Sequence, residues 1–290
     1  MAFEVRSQQL NFQFGENCTF TFNDNIQQYV VGITGFALNY SANQGEEFWL
    51  LTANVTLDVV GVSGNTLTIF PNMTMLSGTG NFLAGGGYSW IIVTVLAWTG
   101  SVNNSNLILA SNIQNQLLNL PSQPLLIQPV LSGFNLTFGM YPQNPTFINI
   151  STGVSQAGSS IQCYGVGSMY GSYYLPATSA SNGSAGSPDT NYSVCNSGTV
   201  NTSLIINCDP GTNLSCVNYL NNADGTTYTL PATVQAAFMT GFFMNLYANS
   251  SPSAISAHTA LSGSSVPVSA YILSSGASRA GFANFVTIDF

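Results

Sequence analysis

The sequence predicts an all-β protein made of two or three tandem antiparallel β-sandwich modules of jelly-roll type. Three observations predict it. One strand motif recurs three times. Alternating strands are separated by Gly, Asn and Ser turns. Apolar residues make up 45% of the 290-residue chain, while only 4% are charged.

The motif reads Ile33-Thr34-Gly35-Phe36-Ala37-Leu38-Asn39-Tyr40, then Leu131-Ser132-Gly133-Phe134-Asn135-Leu136-Thr137-Phe138, then Met239-Thr240-Gly241-Phe242-Phe243-Met244-Asn245-Leu246. The shared pattern is apolar, Ser/Thr, Gly, Phe, any residue, Leu/Met, any residue, large apolar. Recurrence at a near-constant spacing marks repeated structural units.

Each copy is followed by strand patterns. Trp49, Leu51, Ala53, Val55, Leu57 and Val59 share one face, and Thr52, Asn54, Thr56 and Asp58 the other. That alternation is a half-buried strand. Ser63-Gly64-Asn65 supplies a turn, and residues 66–75 alternate again. Residues 90–98 are apolar on both faces and read as a central strand. The second copy carries an expected insertion over 172–223, rich in Ser, Gly and Asn. The third is compressed, with strands over 267–273 and 283–290. The expected modules are 1–102, 103–222 with that insertion, and 223–290, which either stands alone or packs with the second. Residues 107–118 are the one weak helix candidate.

Charge narrows the function classes. There is no Lys, Arg6 and Arg279 are the two basic side chains beside His258, and the net charge is −8. Such a chain cannot neutralise a polyanion, so no nucleic-acid partner is expected. The most apolar stretch, 82–100, contains Gly85-Gly86-Gly87 and then a β-branched run, which reads as loop and buried strand rather than a membrane span. Aromatics at 12% argue against disorder. The surface must be Asn, Ser, Thr, Gln and Gly. It therefore needs few ionised carboxylates, an arrangement suited to acid. A sugar-covered neutral surface is the alternative.

Sugar acceptors are plentiful. Asn-x-Ser/Thr occurs at Asn17, Asn39, Asn54, Asn72, Asn103, Asn135, Asn149, Asn182, Asn191, Asn201, Asn213 and Asn249, against roughly 6 expected by chance. Asn54, inside a strand pattern, is expected to escape modification. Of the five cysteines, Cys18 stands apart and is expected to be unpaired. Cys163, Cys195, Cys208 and Cys216 are candidates for one or two loop disulfides. The start Met1-Ala2-Phe3-Glu4 lacks the apolar core of a secretion signal. It points to assembly inside a cell and release by another route, as a virion is released.

Catalytic groups are sparse. His258 lies in a Ser-rich stretch without a nucleophile elbow. Glu46 and Glu47 are adjacent and point apart on a strand. Asp189, Asp209 and Asp224 have no calcium-loop spacing, and Asp224-Gly225 reads as a turn. No enzyme activity, metal or cofactor is expected. Tyr164, Tyr170, Tyr173 and Tyr174 are the best candidates for a contact surface, because Tyr offers an apolar face with a polar tip.

The absent Lys, neutral surface, many acceptor sites and plain Met start resemble the vertex, turret or tail-fibre proteins of archaeal viruses from hot acidic springs. The Gly-Phe-x-Leu/Met motif resembles small lectin-like sandwiches of bacterial and phage proteins, over about 10 residues per copy. The first resemblance implies a glycosylated virion-surface structural protein, extracellular after release, that assembles with copies of itself and other virion proteins. The alternatives are a carbohydrate-binding adhesin contacting host glycans, or a cellular S-layer or pilus subunit.

Overall fold

The structure, a computed structural model, describes residues 2–11, 16–40, 50–77, 83–84, 87–138, 144–174, 191–246, 252–274 and 279–290, with backbone alone at 144, 172–174, 191–197, 246, 279 and 280. Every regular element among them is a β-strand, and every strand pairing is antiparallel.

The strands form three successive groups of one kind. The first holds β1 (Ala2–Asn11), β2 (Cys18–Thr21), β3 (Ile26–Asn39), β4 (Leu50–Ser63), β5 (Thr66–Ser77) and β6 (Trp90–Thr99). The second holds β7 (Leu107–Ala110), β8 (Leu117–Asn119), β9 (Leu126–Thr137), β10 (Asn144–Ala157), β11 (Ser160–Tyr174) and β12 (Asn191–Asn207). The third holds β13 (Ser215–Ala223), β14 (Thr227–Thr229), β15 (Val234–Leu246), β16 (Ala254–His258), β17 (Ser265–Pro267), β18 (Ser269–Leu273) and β19 (Arg279–Asp289). β17 and β18 together occupy the place of β5 and β11.

In each group the first, last and third strands pair in that order: β1–β6–β3, β7–β12–β9 and β13–β19–β15. The second, fifth and fourth make the other layer: β2–β5–β4, β8–β11–β10, and β14–β17 with β18–β16. Each third strand then pairs with the fourth strand of a neighbouring group. β4 joins β9, β10 joins β15, and β16 joins β3, with five residue pairs at each seam. The last seam returns to the first group and closes a circle. The sequence repeats are therefore interlocked units: the five-stranded sheet draws on the first and third, and the pairing of β11 with β12 joins the other ladders into a twelve-stranded sheet that draws on all three.

The motif explains the arrangement. Its Ser/Thr is a bulge residue in every copy: Thr34, Ser132 and Thr240 are each passed over in the ladder to the neighbouring strand. A bulge increases local twist. The following glycine lets the preceding unit's fourth strand approach. A Cβ at Gly133 would stand 3.0 Å from the Val55 carbonyl oxygen, and at Gly241 2.4 Å from that of Ile150. The phenylalanines converge. Phe36, Phe134 and Phe242 are fully buried, with ring centroids 5.2, 5.4 and 5.5 Å apart pairwise, a near-equilateral triangle on a pseudo-threefold axis.

The main apolar core surrounds this triangle and draws on all three units. A second cluster lies further along the axis, around Val30, Leu96, Val130, Ile205, Phe238 and Val286. There Phe3 packs on Trp98 at 4.9 Å and on Phe290 at 5.0 Å. A third cluster fills the second unit between its layers, around Ile113, Cys163 and Leu204. Burying one such side chain contributes about 1.5–3 kcal/mol before entropy is counted.

Two expectations are corrected. The stretch 172–223 is not simply an inserted loop, because it contains β12 and β13. Its Ser/Gly/Asn composition resembles loop sequence, yet Val200, Leu204, Ile205 and Ile206 are buried. The boundary between the second and third units consequently falls between β12 and β13. Residues 107–118 form β7, a turn and β8 rather than a helix.

Candidate functional site

The outward side of β5, β4, β9 and β12 is the most distinctive surface. Buried apolar residues of these strands point to the core, and Asn72 and Thr74, Thr52, Asn54 and Thr56, Asn135 and Thr137, and Thr199 and Asn201 lie on the other side, beside half-buried Phe70 and Leu76. Thr52 Oγ1 donates to Thr137 Oγ1 at 3.3 Å. Four acceptor asparagines share this side. Asn72 and Asn135 are exposed and Asn201 is half-buried. Asn54 is only 8% exposed, sitting in register between Asn135 and Thr74.

Elsewhere, Asn17, Asn103 and Asn213 are exposed, and Asn39 and Asn149 are half-buried. Asn39 Nδ2 donates to the Tyr88 carbonyl, so this amide is already engaged. Asn182 and Asn249 lie outside the described residues, as does the side chain of Asn191.

The four tyrosines do not form one platform. Tyr164 is 44% exposed. Its ring lies over Gly153, where a Cβ would come within 2.4 Å of Cζ. Tyr170 instead stacks on Phe147 at 4.2 Å, starting a row across four strands: Phe147 to Phe243 at 5.7 Å, then Phe243 to Phe282 at 5.2 Å. Rings stacked along a row spend their faces on one another. The side chains of Tyr173 and Tyr174 lie outside the described residues. Sequence reading missed this row. Its signal is the second Phe of Gly241-Phe242-Phe243, which points outward where the first points to the axis.

The expected loop disulfides are not found at Cys163, Cys208 and Cys216, which are free thiols. Cys163 is buried in the third cluster and donates to the Ile113 carbonyl at 3.0 Å. Cys208 points to the Ser122 carbonyl at 3.6 Å. Cys216 packs against the second cluster, where burial pushes its thiol up to about 12. Cys163 and Cys208 thus serve as small apolar residues of the third cluster and Cys216 packs against the second, while the Cys195 side chain lies outside the described residues. Cys18 is also a buried free thiol, pushed up to about 11 by burial.

Titratable groups serve structure. Burial pushes the Glu4 carboxyl up, but the Asn23 N–H, the Thr99 hydroxyl and the Arg6 guanidinium outweigh it and hold it below the usual range. Arg6 Nη2 meets Glu4 at 2.8 Å, and its guanidinium lies 5.4 Å from the Phe22 ring. Asp209 accepts from Gly211 N, Thr212 Oγ1 and Asn104 Nδ2, which lowers its pKa and ties a turn. His258 donates from Nδ1 to the Pro267 carbonyl at 3.1 Å, and its ring meets Trp90 edge-on. Burial lowers its pKa. These contacts build turns and seams, with no activated nucleophile among them. Among the described residues no three His, Cys, Asp or Glu side chains are placed to hold a metal, and no helix is long and apolar enough to cross a membrane. Comparisons with known protein families, curated proteins and solved structures give no match for this chain.

Proposed function

We propose that the protein is a non-enzymatic structural glycoprotein of a virion surface, a vertex, turret or fibre subunit that assembles with copies of itself and with other virion proteins. The observation that carries this reading is the outward side of β5, β4, β9 and β12, where acceptor asparagines stand on rows of Asn and Thr interrupted by one charge, Asp58, and by half-buried Phe70 and Leu76. Such a surface accepts sugar. It also stays hydrated through hydrogen bonds that protonation does not remove, which suits an acidic exterior. The circle of interlocked units adds a body without a weakly joined domain.

Glycopeptide mapping combined with immunogold labelling of purified virions tests the reading. Sugar on Asn72 and Asn135, with label on the particle exterior, is the expected result. Bare acceptors and no label on particles would overturn it. A second reading, contact with host glycans, is favoured by Tyr164, whose ring lies along the sheet with its other face toward solvent. Glycan-array binding that is lost on Tyr164→Ala is the outcome that would establish it.

A further inference from the structure

The pseudo-threefold arrangement allows the same place to be compared in all three units. The place lies between the two layers, beside the residue that pairs with the motif phenylalanine. That residue is Ile91 opposite Phe36, Val200 opposite Phe134 and Ala283 opposite Phe242. The facing fifth-strand positions are Pro71 and Met73 in the first unit, Gly165 and Gly167 in the second, and Val268 and Ala270 in the third. They follow from the pairings of Asn72 with Thr56, Val166 with Ser151 and Ser269 with His258.

Two of the three places are shut. In the second unit a Cβ at Gly165 would lie 2.5 Å from Val200 Cβ, and one at Gly167 2.7 Å from Val200 Cγ2, so the layers touch. In the third unit a Cβ at Gly281 would lie 2.2 Å from the Ala270 carbonyl oxygen, so β19 rests on β18. In the first unit the layers part at their edge and leave a half-open pocket of about 180 Å³. Half-buried Leu10 is its apolar floor, with the buried Met73 and Ile91 behind it. Gln9, Asn11 and Asn17, all exposed, line it as an amide rim, with the Glu16 carboxylate beside them.

We propose that this pocket is a binding site for a single neutral pyranose, filled in the mature protein by the sugar attached to Asn17. The chemistry of the wall selects the class. Side-chain amides both donate and accept, and a carboxylate accepts, which suits ring hydroxyls. The apolar floor suits the C–H face of the ring and is unsuited to a cation. Among the described residues no basic side chain lines the wall, so they offer an anion no counter-charge. The volume is below the roughly 300–1,000 Å³ of sites for drug-sized ligands, which leaves room for one ring. Asn17 is at once a wall residue and a sugar acceptor, so a ring attached to it starts at the rim.

The occupant rests on the glycoprotein reading; the site itself does not. Unglycosylated protein carrying methyl-labelled Met is titrated with free N-acetylglucosamine and followed by NMR. The Met73 methyl is expected to shift saturably at millimolar sugar, while the fully buried Met75 stays fixed. Gln9→Ala with Asn11→Ala, both on exposed side chains, is expected to weaken binding at least about tenfold with thermal stability unchanged. A Met73 methyl that stays fixed up to 100 mM sugar would overturn the site. Native-source protein provides the second arm: a sugar on Asn17, with Met73 indifferent to added N-acetylglucosamine, is expected. A bare Asn17 beside sugar on Asn72 would overturn the attached occupant alone. Bare acceptors throughout would overturn the glycoprotein reading as well.

Discussion

Gly32 leaves the space that Phe238 fills: a Cβ on Gly32 would stand 2.6 Å from Phe238 Cδ1. Both residues precede their motif glycine by three positions, as does Val130 in the second unit. The axis at this level thus carries no side chain, a medium one and a large one from three equivalent positions. Gly32→Ala is expected to cost about 1–3 kcal/mol by overpacking, and Phe238→Ala about 3–5 kcal/mol. Gly32→Val with Phe238→Val should cost less than the sum of Gly32→Val alone and Phe238→Val alone, with a coupling of about 1–3 kcal/mol. Denaturant unfolding of the four proteins measures it, and strict additivity would contradict the packing.

Phe36, Phe134 and Phe242 meet each other at almost equal distances. Substituting any one by Ala removes two of the three ring contacts at the axis. Each change is expected to cost about 3–5 kcal/mol, with the three values within about 1 kcal/mol of one another. Thermal unfolding of the three variants is the measurement. A variant with an unchanged midpoint would show that the motif is repeated without being equivalent.

His258 makes the closing seam sensitive to acid. Its ring is half-buried opposite Gly35, and burial lowers its pKa below the ordinary 6.5. The unfolded chain therefore takes up the proton first. The stability that depends on neutral His258 is complete above about pH 6.5 and is lost as pH falls through the lowered folded value. Thermal midpoints from pH 8 to pH 5 should fall for the native protein and fall less for His258→Gln. Parallel curves would remove His258 from the account. Glu4 acts in a lower window, its contribution being complete above about 4.5 and lost below it.

Three thiols should be silent. Cys18 and Cys163 are buried and Cys216 is half-buried against the second cluster, and burial raises the pKa of each. Thiolate is the reactive form. A thiol reagent applied to the native protein at pH 8 is expected to leave these three unmodified, and to label them only as the protein unfolds. Peptide mapping after timed labelling reads this, and rapid labelling of Cys216 would show that β13 opens readily.

The repeat was legible in the sequence because three separate demands fall on adjacent residues. The bulge takes a small hydroxyl residue, the close approach at the seams takes Gly, and the axis takes Phe. Strands such as β4 and β6 were legible because one or both faces are continuously apolar. The seams were not legible, since partners such as Gly35 and His258 share no local pattern. Neither was β12, whose small polar residues resemble a loop. Cys163, Cys208 and Cys216 are free: a spacing typical of disulfide loops can equally place Cys as a small apolar packing residue. The aromatic row escaped notice because Tyr170, Phe147, Phe243 and Phe282 are neighbours only once four strands are aligned.

The circle of seams has a consequence for the birth of the chain. β3 leaves the ribosome early, but its partner β16 follows more than 200 residues later. At about 5–20 residues per second that interval is roughly 10–40 s. Throughout it, the β3 edge waits with its hydrogen-bonding groups unmatched and the apolar Phe36 side of the strand uncovered. Two neighbouring nascent chains could satisfy that edge for each other. Translation speed and crowding on a shared messenger, rather than the strength of the finished core, would then govern how much of the protein closes on itself.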